Sequence, residues 1–189
     1  MFENDKLEDI IDVLKTSGLI LYPTDTIWGI GCDACDEEAV RKVYQLKQST
    51  HDENFVLLVD SLAMLKKYVA EVHPRIDTLL SYHIRPLTVV YEEAKDLAPS
   101  VIAPDGSIAV RIVQDDFCKN LIQAFGRPLV ATSANIHNQA FPSNFGAISS
   151  EVIRQVDYVV KARQSEKSLQ EPSVLVKVSP KGELVFLRE

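Results

Sequence analysis

The sequence predicts an α/β domain built on a mixed sheet, and three observations carry that prediction. Amphipathic helical segments alternate with short apolar strand segments through the first half of the chain. The alternation then breaks, because residues 87–91 and 108–113 read as strands with no helix between them. The chain ends in an apparent antiparallel hairpin, residues 174–178 and 184–187 flanking Ser179-Pro180-Lys181-Gly182. Parallel neighbours need long crossovers and hairpins need antiparallel ones, so the patterns together require both strand directions. A chain of 189 residues with 46% hydrophobic and 25% charged residues is bounded to one domain over residues 1–189, able to bury a core without disulfide staples.

Each element has a local reason. Leu7, Ile10, Ile11 and Leu14 recur at helical spacing, Gly18 reads as the stop, and an apolar strand over 19–22 runs into Pro23. Asp36 opens a second helix, with Glu37 and Glu38 complementing its positive end and Ala39, Val40, Val43 and Leu46 forming its stripe; it should end near Lys47. Residues 55–59 form the next strand, followed by an Asp60-capped helix through Leu62, Leu65 and Val69 and a shorter one opened by Pro74. Asp115 or Asp116 caps a helix that stops at Gly126, before a strand over 128–131. In the final hairpin, Pro180 and Gly182 occupy the second and fourth positions expected of a type I turn. The longer loops, 94–106, 136–147 and 162–173, are candidate site walls.

Charge narrows the function classes. Twenty Lys and Arg against 27 Asp and Glu leave a net charge of −7, which opposes diffuse attraction to nucleic acid or anionic membrane. A phosphate site must therefore be a local cluster. The N-terminus lacks the basic flank and apolar core of a signal peptide, and no apolar run approaches the roughly 20 residues that span a bilayer, so a cytoplasmic protein without a membrane partner is expected. Three cysteines (Cys32, Cys35 and Cys118) suit a reducing compartment. Zinc would need four ligands, and no histidine lies at finger spacing from Cys32 and Cys35, so no structural metal is expected.

Three polar clusters adjoin apolar strands. The first, residues 22–33, places Thr24, Asp25 and Thr26 at a strand end and adds Gly29 and Gly31, which allow close backbone approach to a ligand; the alternative is a turn held by Asp25 and Thr26. The second, Ala131-Thr132-Ser133-Ala134-Asn135, lacks the Gly-x-Ser-x-Gly elbow of a hydrolase nucleophile and suits phosphate or ribose oxygens; the alternative is a helix cap or turn. The third is Pro172-Ser173, at the start of a strand. Arg111, inside the apolar run 108–113, either faces solvent or is held by a buried anion or carboxylate.

Taken together and in order, the Y-P-T-D-T-x-(aromatic)-G-x-G-C-D run at 22–33, Leu46-Lys47, the Ser107 to Arg111 strand, Thr132-Ser133-Ala134-Asn135 and Pro172-Ser173 resemble the YrdC/YciO family. The resemblance implies an open, twisted sheet of parallel and antiparallel strands around a concave site. It also implies synthesis of threonylcarbamoyl-adenylate from L-threonine, bicarbonate and ATP, with pyrophosphate released and Mg²⁺ accompanying the ATP. The product would serve a tRNA adenosine through a downstream transferase, with direct RNA binding weak. The alternative is a YciO-like nucleotide- or RNA-binding protein of translation with little synthase activity.

By motif, Thr24, Thr26 and Trp28 would line a threonine pocket together with Arg111; Lys47, Ser133 and Asn135 would be catalytic and meet the nucleotide; and Ser173 would lie near the adenylate. All eight would converge on one concavity. The family's Lys-x-Arg becomes Lys47-Gln48-Ser49, and its Pro-Gly-Pro-Leu-Thr becomes Ile84-Arg85-Pro86-Leu87-Thr88. Weak synthesis is therefore expected, improved by Ser49→Arg unless Arg85 substitutes for the lost cation.

Overall fold

The computed structural model describes residues 5–49, 54–166 and 171–188. The first turns of the chain already show how local signals and packing divide the work. Helix α1, Leu7–Lys15, ends as its stripe predicts, but the left-handed residue after it is Ser17, φ 58°, and not Gly18. Gly18 is needed for a different reason: a Cβ there would lie 2.5 Å from Val13 Cγ1 and 2.7 Å from Val13 O. The chain continues through β1 (Ile20–Tyr22), β2 (Gly29–Gly31), α2 (Glu37–Lys47), β3 (Val56–Val59), α3 (Leu62–Tyr68), α4 (Pro74–Tyr82), β4 (Leu87–Tyr91) and β5 (Ile108–Ile112). It closes with α5 (Asp116–Phe125), β6 (Leu129–Ser133), α6 (Ser150–Gln155), β7 (Tyr158–Val159), β8 (Val174–Val178) and β9 (Leu184–Arg188).

Caps follow the residues with short acceptor side chains. Asp36 accepts from the Glu38 and Ala39 amides, and Asp115 accepts from that of Cys118. At α3 the cap is Ser61, which accepts from Met64 N, while the expected Asp60 accepts a hydrogen bond from the Ser61 hydroxyl. Gly126 takes the left-handed conformation, φ 81°, that stops α5.

The nine strands run in the order β7-β1-β2-β6-β3-β5-β4-β8-β9. Pairs β1–β7, β3–β5 and β4–β8 are parallel and the rest antiparallel, so the expected mixed sheet is present. Strands β2 and β7 and helix α6 were not legible in the sequence. Gly-Ile-Gly has poor strand propensity, yet β2 is held between β1 and β6, and a Cβ at Gly31 would collide with the Tyr22 ring. Gly31 thus serves packing and not ligand approach.

Register gives the sheet two unlike faces. Leu57, Val89, Val110 and Val130 align on one face, each no more than 3% exposed, in the region where α3 and α5 contact β3. Val56, Ala109, Ala131, Leu58, Arg111 and Thr88 align on the other, which is only partly covered. The polar motifs meet on that second face.

Candidate active site

Strand ends and loops build a cavity of about 330 Å³ over the partly covered face. The end of β1 contributes Thr24 and Thr26, β5 Arg111, β6 Ala131, Thr132 and Ser133, the approach to β8 Pro172 and Ser173, and β9 Arg188, with Asn54 and Phe141 at the margins. A volume of this size suits a small metabolite. A slightly larger cavity, about 370 Å³, lies between the start of α4 and the β8–β9 turn and holds none of the motif residues.

At the β1 end, the two readings of the threonine cluster both hold. Thr24 Oγ1 accepts from Thr26 N at 3.1 Å, donates to Ile27 O at 2.8 Å and lies 2.9 Å from Thr26 Oγ1, which closes a turn. The same turn lines the cavity. Asp25 points behind it, where Oδ2 accepts from Gln114 N and Oδ1 lies 3.1 Å from Arg111 Nη2. Both side chains of that ion pair are 5% exposed. The contact lacks hydrogen-bond alignment, and Arg111 Nε is buried with no partner. Arg111 therefore has a buried donor beside the cavity that the described residues do not pair.

Arg188 faces the same space. Its Nε donates to Ser173 O at 2.8 Å and its Nη2 to Ser173 Oγ at 3.2 Å. Ser173 Oγ in turn lies 2.7 Å from the buried hydroxyl of Thr88, the cross-strand neighbour of Arg111. Burial first and the Arg111 charge second push the Arg188 pKa down. Two guanidiniums thus share a cavity whose described lining contains no carboxylate.

The sequence expectation that eight residues converge is met by five: Thr24, Thr26, Arg111, Ser133 and Ser173 line the cavity. Three do not. Trp28, just before β2, is buried in the core against Phe145, ring centroids 4.9 Å apart. Lys47 is 0% exposed, and its ammonium donates to Ser133 O at 3.1 Å and Asn135 O at 3.0 Å, fastening the β6 end from behind. Asn135 turns its amide onto the carbonyls of Ile136 and Gln139, leaving Oδ1 buried without a hydrogen bond.

The expected substitute cation lies elsewhere. Arg85 is more than half exposed, 3.8 Å from Glu171, and not on the cavity lining, whereas Arg188, which the sequence did not single out, is on it. The missed signal was the hairpin itself. Its second strand runs one residue beyond 187, which brings Arg188 opposite Leu175 and back beside Ser173. Ser49 follows the left-handed Gln48 and buries its hydroxyl unpaired, while residues 50–53 lie outside the described residues.

No cysteine has the surroundings of a nucleophile: burial, then Asp33, raise the Cys35 pKa to about 11, and Cys32 and Cys118 are buried with pKa values pushed well up. Among the described residues no three His, Cys, Asp or Glu side chains gather to hold a metal, and no helix is long and apolar enough to cross a membrane.

Residues 12–189 match the model of the Sua5, YciO and YrdC proteins, whose description reads "Telomere recombination". A threonylcarbamoyl-AMP synthase of Pseudoalteromonas translucida is 30% identical over 163 residues, 85% of this chain and 87% of that protein. One from Escherichia coli is 32% identical over 137 residues, 71% of this chain and 72% of its own. Among solved structures, E. coli YciO superposes with a TM-score of 0.82 at 21% identity, covering 97% of this chain and 88% of that one. Sua5 of P. abyssi, crystallised with L-threonine, gives 0.81 at 21% identity, covering 96% of this chain; the chain spans 53% of that Sua5's length.

Proposed function

This chain belongs to the Sua5/YciO/YrdC family, and from that premise we propose that it is a threonylcarbamoyl-AMP synthase. The observation that carries the proposal is the pair of guanidiniums, Arg111 and Arg188, facing one cavity whose described lining is rich in hydroxyls and contains no carboxylate. Such a lining selects anions, and every substrate of this reaction carries an anionic group: the threonine carboxylate, bicarbonate and the triphosphate.

In the reaction, the threonine nitrogen bonds to the bicarbonate carbon and water leaves, giving a carbamate. A carbamate oxygen then attacks the α-phosphorus of ATP, and the bond to the bridging oxygen breaks to release pyrophosphate. Thr24 and Thr26 are proposed to hold the amino acid, Ser133 and Ser173 to meet the carbamate and nucleotide oxygens, and the two arginines to stabilise charge that grows during transfer. In this reading Lys47 holds the β6 end through the Ser133 and Asn135 carbonyls, and the Asn135 amide holds the turn that follows it through the Ile136 and Gln139 carbonyls. Mg²⁺ is proposed to arrive bound to the triphosphate of ATP, which it would partly neutralise. The product would pass to a downstream transferase acting on tRNA. The chain is proposed to act as one domain in the cytoplasm.

The test is pyrophosphate release from ATP with L-threonine and bicarbonate, and with each omitted. Release that needs both, and that falls about tenfold to hundredfold in Arg188→Ala with the melting temperature nearly unchanged, supports the reading. ATP binding without threonine-dependent release would favour a nucleotide-binding role without synthesis.

A further inference from the structure

After β7 the chain passes Val160 and makes a turn over residues 162–165. Arg163 adopts φ 62°, a left-handed conformation that costs any residue other than glycine about 1–2 kcal/mol. Contacts with Thr24 and Glu166 help to hold it there. Its Nη1 donates to the carbonyl of Thr24 at 3.0 Å, across 139 residues of sequence, and its Nε pairs with Glu166 at 2.9 Å. The turn is also tied down on the other side, where the Asp5 carboxylate accepts from the Lys161 and Ala162 amides and from the Tyr158 hydroxyl. Three-quarters of the Arg163 side chain is buried.

Thr24 is the junction of the site. Its hydroxyl takes part in the turn with Thr26 and Ile27 and lies 3.5 Å from Arg111 Nη2, while the next residue, Asp25, forms the ion pair with Arg111. A charged donor on the Thr24 carbonyl therefore fixes the one backbone unit that orients both the hydroxyl lining and the guanidinium. Backbone strain held by surrounding contacts is characteristic of such functional positions. Arg163 does not itself line the cavity.

We propose that Arg163 is a positioning residue for the amino-acid substrate: it sets the Thr24 carbonyl, and through Thr24 the Thr26 hydroxyl and Arg111. This rests on the synthase reading for its kinetic expression, though its structural expression is independent of that reading.

Arg163→Gly separates positioning from stability, because glycine adopts positive φ freely. The variant relieves the strained backbone while losing the two contacts, so it should melt close to the wild-type temperature, yet raise KM for L-threonine at least about fivefold with kcat within about twofold, as expected when the groups that bind the ground state are less well positioned. Arg163→Lys, which keeps a cationic donor, should restore KM to within about threefold. In the free protein, amide hydrogen exchange over residues 24–29 should quicken about tenfold in Arg163→Gly while the core strands exchange as before. Unchanged exchange over 24–29 together with wild-type KM would overturn the proposal, as would a uniform rise in exchange with a lower melting temperature, which marks a purely structural residue. If the wild type releases no pyrophosphate, the synthase reading fails, and the exchange experiment alone decides whether Arg163 positions Thr24.

Discussion

Lys47 and Arg111 are both cations buried beneath the same cavity, and they have opposite relations to it. Lys47 is 0% exposed and its ammonium is taken up by the Ser133 and Asn135 carbonyls, so it acts as an internal fastener of one wall. Arg111 is 4% exposed, yet its single carboxylate partner leaves Nε without an acceptor, so the opposite wall keeps an unmet demand for an anion. Burial is nearly equal in the two. What separates a structural cation from a binding one is whether the protein completes its hydrogen bonds.

The largest expected effect breaks the binding wall. Arg111→Met leaves Asp25 buried beside no cation, which should cost about 3–5 kcal/mol in urea unfolding, and pyrophosphate release should fall at least about hundredfold. Adding Asp25→Asn should recover much of the stability and none of the activity. Recovery of both would show that Arg111 serves only to neutralise Asp25.

Lys47→Met tests the fastening wall. Removing the donor to two interior carbonyls, one of which still accepts from the Asn135 amide, should cost about 2–3 kcal/mol, with activity falling as the β6 end loosens. A variant as stable as the wild type but inactive would reverse the comparison and place Lys47 on the ligand.

The smallest effect lies at the far end of the helix that carries Lys47. Burial raises the Asp36 pKa, but the Ser17 hydroxyl and the Ala39 and Glu38 amides outweigh it, and the net shift is downward. A depressed carboxylate pKa stabilises the fold above the unfolded value, near 3.9, and that contribution is lost as pH falls through the lower folded value. Asp36→Asn keeps a competent cap, so it should cost only about 0.5–1 kcal/mol at pH 7, less at pH 3, with activity within about twofold. A large loss of activity would mean that the α2 start communicates with the site.

Particular residues show how far the sequence could be read. The α2 stripe, the Asp115 cap, the Gly126 stop and the β8–β9 hairpin follow from signals within a few residues of each other, and each was legible. So were four cavity residues, Thr24, Thr26, Ser133 and Ser173, because hydroxyls at the ends of apolar strands mark where open sheets accept ligands. The α3 cap moved by one residue to Ser61, a choice between two adjacent acceptors that only backbone geometry makes.

Whether a polar side chain faces the cavity or the protein was not written locally. Trp28 and Thr26 are two residues apart, yet one stacks on Phe145 and the other lines the opening. Arg85 and Arg188 are both arginines near strand ends, and only the register of β9 against β8 brings the second to Ser173. Sequence by itself determined the mixed sheet, most of its elements and the polar strand ends, since periodicity and capping act over one or two turns. Tertiary structure decided which cations were satisfied internally and which kept an unpaired donor beside the cavity, since hydrogen-bond completion depends on partners such as Ser133 and Asn135, 86 and 88 residues from Lys47.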